Sequence, residues 1–343
     1  MKKLNILVAT LFSVFLISSA VNAGELSVTG SVKASITTGG SGSTAGASES
    51  GGRALAISND IDFNASGDLD NGWAWVWQTQ LDGGAIDDTK LTISTDYGTV
   101  GLFGTEGGLN FKHGGSQMAL GYGSQIGSAG GIVDPDDIAT YNNVQYHTPA
   151  GLLPLGTSAK IGMTMGGSAT SEPGDSPLGT GGSARNGVTY SVEMKPIDGL
   201  SIGGSYFTID QAVSSNEVGQ DEENGAYYAS YKMGNFGLGY SKAYKAPALA
   251  STPAAAAINY HETTSYSVGL AVSDNLSVSY GYEKSHANKV TDAAESDVKI
   301  DTIQAAYTMG GLTATFGVKD IENASYTANA DQSEAHLVLS MAF

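Results

Sequence analysis

Four carboxylates occupy a stretch whose composition sets it apart from the rest of the chain. Between Thr105 and Thr140 glycine is frequent and apolar periodicity is absent, and the acids there are Glu106, Asp134, Asp136 and Asp137. A connection of this length without secondary structure usually has a function or is disordered. Carboxylates grouped at a narrow passage favour cations. If the stretch folds into a lumen, we expect these acids to line it. If the stretch stays on the surface, it has no special role.

Chemistry that needs a metal or an activated nucleophile is not supported by the residue spacing. The five histidines are scattered without the H-E-x-x-H pattern of a zinc site, and cysteine is absent. The stretch from Asp134 begins like a calcium loop, but Ala139 stands where an EF-hand requires Gly and Gln145 where it requires Glu. No G-x-S-x-G elbow marks a serine nucleophile. We therefore predict no enzyme activity, no bound metal and no cofactor.

The charge balance excludes one class of partner. The chain has 34 acidic against 16 basic side chains, a formal net charge of −18, and its arginines are Arg53 and Arg185. Binding of nucleic acid requires clustered Lys and Arg that neutralise phosphates. The sequence therefore predicts that nucleic acid is not a partner.

The first 23 residues have the layout of an export signal. Lys2 and Lys3 precede an apolar stretch from Leu4 to Ile17, and Val21-Asn22-Ala23 offers a small-x-small cleavage site. The alternative is an anchor that stays attached, but the apolar part is short for a membrane span. We expect residues 1–23 to be a cleaved signal peptide and residues 24–343 to form the folded protein.

Alternation of apolar and polar side chains dominates the rest of the chain. From Leu26 to Ile36, for example, apolar residues and glycine occupy every second position, and Ser, Thr and Lys33 occupy the others. Such segments are typical of strands with one face in lipid and one in water. Sixteen are found, at 26–36, 57–65, 73–77, 91–93, 100–102, 144–146, 159–165, 188–194, 200–206, 227–233, 236–240, 266–272, 276–282, 303–309, 312–318 and 335–343.

The connections between these segments alternate in character. Tight turns such as Gly234-Asn235 and Gly310-Gly311 alternate with polar connections that are mostly long, such as Thr38 to Gly52. Gly and Asn reach the positive φ that two-residue hairpins need. Short turns at one rim and long loops at the other are typical of outer-membrane barrels. The sequence therefore predicts an all-β fold, a transmembrane antiparallel β-barrel of 16 strands in a lipid bilayer.

Three segments make the resemblance to a known family specific. The segment Asp96-Tyr97-Gly98-Thr99-Val100-Gly101-Leu102 resembles the strand that leads into the constriction loop of general bacterial porins of the trimeric, 16-stranded type. Tyr141-Asn142-Asn143-Val144-Gln145-Tyr146 resembles the strand that leaves that loop, and Phe343 behind alternating apolar residues resembles the family's aromatic end signal. The resemblance covers nearly all of the chain after residue 23.

The resemblance implies further properties. It implies a homotrimer in the outer membrane of a Gram-negative bacterium, and a third loop, residues 105–140, folded inward to place its acids at the constriction. It also implies that Phe343 is read by the barrel-assembly machinery. The family has a basic cluster on the facing wall, for which the candidates here are Lys33, Arg53 and Lys90. No arginine cluster is present, so this chain departs from the family pattern.

We therefore expect a water-filled channel for passive diffusion of small hydrophilic solutes and ions, with a preference for cations. Three alternatives remain open at this point. A substrate-specific channel for sugars or another nutrient would have an aromatic track in the lumen, whereas the aromatic residues here are predicted to point mostly outward. A secreted soluble β-protein would dissolve without detergent. The last of the three, a barrel enzyme of the lipase or protease kind, would be detected by activity-based labelling of a serine.

Overall fold

The first strand pair shows how the alternating sequence forms a sheet with two different faces. β1 (Glu25–Ser41) and β2 (Gly52–Asp68) pair antiparallel, with Val28 opposite Phe63 and Lys33 opposite Ser58. Successive side chains of a strand point to opposite faces, so apolar pairs lie on one face and polar pairs on the other. A slip of one residue would exchange the two faces, and the apolar pattern therefore fixes the register.

The same pairing continues until the sheet closes on itself. The computed structural model describes residues 24–41, 52–82, 85–104, 106–108, 113–164, 186–210, 218–254, 257–291 and 295–343. After β2 the barrel strands are β3 (Ala74–Asp82), β4 (Ala85–Thr95), β5 (Gly98–Gly104), β6 (Asn143–His147), β7 (Ser158–Thr164), β8 (Gly187–Ile197), β9 (Leu200–Ile209), β11 (Glu222–Met233), β12 (Phe236–Ala246), β14 (Ile258–Ala271), β15 (Leu276–Lys289), β16 (Val298–Met309), β17 (Leu312–Glu322) and β18 (Gln332–Ala342).

Each barrel strand pairs antiparallel with its neighbour in the chain, and β18 pairs with β1 to close the barrel. The residue after β18, Phe343, exchanges two backbone hydrogen bonds of 2.9 Å with Gly30 and so extends the closing seam. Two short strands, β10 (Val218–Gln220) and β13 (Leu249–Ala250), form a separate two-stranded sheet at the loop rim. The described parts of the connections contain four short 3-10 helices, at His113–Gln117, Gly123–Gln125, Ile138–Thr140 and Ala324–Tyr326.

The outer face of the barrel is apolar and uncovered. Leu55 and Ile57 on β2 are 72% and 70% exposed, and Ile303 and Phe316 on β16 and β17 are also exposed. A continuous apolar surface of this kind needs a partner that is not water. No described residue belongs to a helix long and apolar enough to cross a membrane.

The predicted architecture is confirmed. Each of the sixteen predicted segments overlaps one barrel strand, although Trp73 lies in the turn before β3 and not within it. Two details were not predicted: the small β10–β13 sheet, and a connection of only residues 83–84 between β3 and β4 at the rim of the long loops. The predicted signal peptide, residues 1–23, lies outside the described residues.

Candidate functional site: a constriction lined by the third loop

The connection between β5 and β6, residues 105–142, is called loop 3 below. Its described residues, 106–108 and 113–142, lie inside the barrel. Its first 3-10 helix packs against inward-facing glycines of three strands, Gly237, Gly269 and Gly281. A Cβ atom at Gly269 would lie 2.3 Å from the carbonyl oxygen of Gln117, and one at Gly281 would lie 2.5 Å from the sulfur of Met118. Only glycine permits so close an approach. The strands β12, β14 and β15 thus form a flat seat for the loop.

Polar side chains of the same wall hold the middle of loop 3. Gln304 on β16 accepts a hydrogen bond from the Leu120 amide (2.9 Å) and donates one to the Gly121 carbonyl (2.8 Å). Glu283 on β15 accepts bonds from the Ser124 amide and hydroxyl, at 2.7 and 2.6 Å. Between them the Tyr122 side chain is fully buried, and this burial raises the pKa of its phenol to about 12. Tyr122 therefore stays neutral and serves to pack the loop onto the wall.

The connection between β17 and β18, residues 323–331, covers the next part of loop 3. The Ser325 amide donates a 2.7 Å hydrogen bond to the Gly130 carbonyl. Ile132 of loop 3 packs with Ile300 and Ile321 of the wall in a small buried apolar cluster, which Tyr326 joins from its edge. Loop 3 is therefore clamped between the wall and an outer loop.

The end of loop 3 is fixed by its own acids. The Asp137 side chain accepts a 2.7 Å hydrogen bond from the Ala139 amide and caps the third 3-10 helix. Asp136 forms a 2.8 Å ion pair with Lys245 on β12. These two predicted constriction acids therefore have structural partners.

The other predicted site residues are placed as follows. Glu106 forms a 2.7 Å ion pair with Lys90 on β4, so the structure brings one predicted acid and one predicted base together. Asp134 is exposed. Lys33 is exposed on the lumen face of β1, opposite Ser58 and Ser340 of the neighbouring strands.

The prediction for Arg53 is wrong. Arg53 on β2 lies opposite Thr38 on β1. The next residue of β1, Gly39, lies opposite Glu334 on β18. Glu334 faces the lumen, since it accepts a 3.2 Å hydrogen bond from the Ser128 amide of loop 3. Because neighbouring side chains alternate, Thr38 and Arg53 face outward. Arg53 therefore does not contribute to the pore wall.

Loop 3 lies against much of the barrel wall and leaves the wall of β1 to β4 open. Inward-facing side chains of β14 to β17, such as Ser267, Glu283 and Gln304, are buried beneath it, whereas no described side chain of β1 to β4 is buried. The open wall carries Asp60 and Asp62 on β2, with Asp82 opposite Asp60 on β3.

Within the described residues no basic side chain pairs with these three acids. Asp62 accepts 3.0 Å hydrogen bonds from Gln78 and Gln80, and Asp60 accepts one of 3.1 Å from Ser31. They were not predicted as site residues, although their inward position follows directly from the alternation. No group of three or more potential metal ligands occurs in the part of the chain that the structure describes.

Comparison with known proteins identifies the class to which this geometry belongs. The family model for Gram-negative porins matches residues 8–317. The chain therefore belongs to the Gram-negative porin family and is a channel protein of the outer membrane. Comparison with curated protein sequences gives no match.

Solved porin structures share the fold at low sequence identity. OmpF of Salmonella typhi, solved with daunomycin, is 14% identical, with 94% of this chain and 98% of that chain covered and a TM-score of 0.63. An anion-selective porin from Comamonas acidovorans is 15% identical, with 93% and 100% covered and a TM-score of 0.65. A trimer form of OmpT from Vibrio cholerae is 11% identical, with 94% and 100% covered and a TM-score of 0.59. This likeness bears on the fold and not on selectivity.

Proposed function

We propose that this porin conducts small hydrophilic solutes and ions by passive diffusion and prefers cations. The observation that carries the proposal is the set of acids on the open wall, Asp60, Asp62 and Asp82, which have no basic partner among the described residues. Charged side chains at a pore wall act on ions at close range, where water and salt screen them least.

The bases of the open wall do not match these acids in number. On β1 to β4 the lysines are Lys33 and Lys90, and Lys90 is paired with Glu106 at 2.7 Å. On the covered wall Lys245 is paired with Asp136. An entering ion on the side of β2 and β3 therefore meets carboxylates. Glu106, Asp134, Asp136 and Asp137 contribute to the negative field of loop 3, and Glu106 and Asp136 form ion pairs.

Three further properties belong to the same proposal. Residues 1–23 direct export and are removed, because they have the order of a charged, an apolar and a small-residue region. The channel assembles as a homotrimer, as the solved trimer form of OmpT from Vibrio cholerae does. Phe343, at the closing seam, is the signal that the barrel-assembly machinery reads.

Reversal potentials in planar bilayers test the proposed selectivity. We expect single-channel steps, and a reversal potential in a tenfold KCl gradient whose sign shows preference for K⁺ over Cl⁻. A preference for Cl⁻ would refute the cation proposal, and the absence of channels would refute the diffusion pore. Liposome swelling with sugars of increasing size separates a diffusion pore, with rates that fall smoothly with size, from a substrate-specific channel, with one sugar far ahead.

A further inference from the structure

One lysine of the barrel wall is buried beneath loop 3. The sequence alone shows only that this residue faces inward. Lys319 on β17 lies opposite Glu334 on β18, and its side chain is 0% exposed. It donates hydrogen bonds to the backbone carbonyls of Gly123 (3.0 Å), Ile126 and Ser128. Its ammonium group also lies 3.1 Å from a carboxylate oxygen of Glu334.

We propose that Lys319 is the positioning residue of the constriction, an inference that rests on the proposed diffusion pore. An ammonium group has three donors, and here each one is used by a different carbonyl of a single turn of loop 3. Hydrogen bonds with a charged donor are stronger than neutral ones. A buried charge requires such partners. The Gly123 carbonyl also accepts a 3.2 Å hydrogen bond from the Ile126 amide, so the contribution of Lys319 is greatest at Ile126 and Ser128.

The neighbouring anchors cannot replace this lysine. Glu283 and Gln304 hold loop 3 only as far as Ser124, and the Ser325 amide holds it again at Gly130. Between these points Ser128 also bonds to Glu334, the carboxylate that Lys319 pairs with. The turn from Gly123 to Ser128 therefore depends on Lys319 directly and, through Glu334, indirectly.

The turn packs so closely against β18 that a shift of the β18 side chains would also move the turn. A Cβ atom at Gly127 would lie 2.4 Å from the His336 ring and 2.7 Å from the Glu334 carboxylate. His336 in turn shares a 3.1 Å hydrogen bond with Thr37 of β1. Without Lys319, the turn keeps the hydrogen bond from the Ser128 amide to Glu334 but loses its three carbonyl contacts with the wall. The turn then moves toward the open wall of β1 to β4 or fluctuates there.

Replacement of Lys319 by Met tests the inference with the full-length porin in planar bilayers. Met keeps much of the side-chain length and removes the charge and all three donors. We expect Lys319→Met to lose the single steady conductance level of the unmodified channel, with more open-channel noise and a shifted size limit in sugar swelling. Barrel assembly, measured by the gel shift between heated and unheated samples, should stay intact. A merely structural role of Lys319 would instead impair assembly, and it would not change conductance and noise in an assembled barrel.

Lys299→Met is the matched control. Lys299 lies on the adjacent strand β16 and is also ion-paired, with Glu322 at 2.8 Å, but it is 40% exposed and lies on the outer face, away from the lumen. It should conduct like the unmodified channel. Lys319→Gln, which keeps a donor without the charge, should fall between the two and serves if the Met variant does not assemble.

The outcomes separate the two proposals. If the unmodified protein forms no channels, the proposed function fails. If it conducts and both Lys319 variants assemble with unchanged conductance, noise and size limit, the positioning role is overturned while the pore stands. If neither Lys319 variant assembles while Lys299→Met does, Lys319 serves barrel formation and the positioning role is likewise overturned.

Discussion

Neutralising the two acids of β2 should weaken cation preference by an amount that follows from their geometry. Asp60 and Asp62 are two residues apart on one face, which places them about 7 Å apart along the strand. A cation between them lies roughly 5 Å from each carboxylate, where the interaction in water is about 0.8 kcal/mol per charge. Screening at 0.1 M salt, with a Debye length of about 10 Å, leaves about 1 kcal/mol for the two together.

The expected change is therefore about fivefold, since about 1.4 kcal/mol corresponds to a factor of ten. We expect Asp60→Asn combined with Asp62→Asn to lower the ratio of K⁺ to Cl⁻ permeability about fivefold or more, because the same charges repel the anion. The ratio is read from reversal potentials at 0.1 M mean salt. At 1 M salt, where the Debye length is about 3 Å, the change in the ratio should shrink to about threefold or less.

An outward-facing pair of acids provides the control for this double variant. Asp301 and Asp320 lie opposite each other on the outer face of β16 and β17, so Asp301→Asn with Asp320→Asn changes the net charge equally. The control should keep the original permeability ratio. If the inward pair changes the ratio no more than the outward pair does, the assignment of selectivity to the open wall is refuted.

Two further perturbations test loop 3 and an outer loop. Gly131 has φ +82°, and an added Cβ would lie 2.5 Å from the Ser325 Cα, so Gly131→Ala should lower the free energy of unfolding by about 1–3 kcal/mol. Gly72→Ala is the control, since Gly72 has φ +83° and open space around it, so that its replacement measures the backbone strain alone. Equal urea midpoints for Gly131→Ala and Gly72→Ala would contradict the predicted clash with Ser325. Burial alone would raise the pKa of Asp297, which precedes β16, but hydrogen bonds from Lys284 and a neighbouring histidine outweigh it and hold the pKa below its ordinary value. A lowered pKa in the folded state stabilises the protein above the unfolded-state pKa of about 4, so Asp297→Asn should be less stable than the unmodified protein at pH 7 and equal to it once acid has protonated Asp297. A stability difference that does not vary with pH would contradict this.

The periodicity of the sequence predicted the barrel because every strand of a closed barrel in lipid has one apolar outer face and one polar inner face. The predicted segment 26–36 forms the centre of β1, and Asp60 and Asp62 face inward as their spacing requires. The same alternation also determines the orientation of Arg53. It shares the odd-numbered face of β2 with Leu55 and Ile57, so its outward position was available from the sequence.

The contacts of loop 3 were not available from the sequence, because they join residues far apart in the chain. Nothing near Asp136 shows that Lys245 pairs with it, and nothing near Lys319 shows that three loop carbonyls surround it. Counting acids therefore overestimated the number of free charges at the constriction. The acids of β2 emerge as candidates for ion selectivity only because the structure shows that loop 3 leaves the wall of β1 to β4 uncovered.

Alternate residues of β2 face a hydrated bore. Because the chain contains no cysteine, single introduced thiols test this orientation directly. Asn64→Cys and Phe63→Cys place one thiol on the inward and one on the outward face of the same strand. A small positively charged methanethiosulfonate reagent, added during bilayer recording, should reduce the K⁺ current of Asn64→Cys and leave that of Phe63→Cys unchanged. A current through Asn64→Cys that stays constant although mass spectrometry shows the thiol modified would contradict the account, and so would a reduction confined to Phe63→Cys.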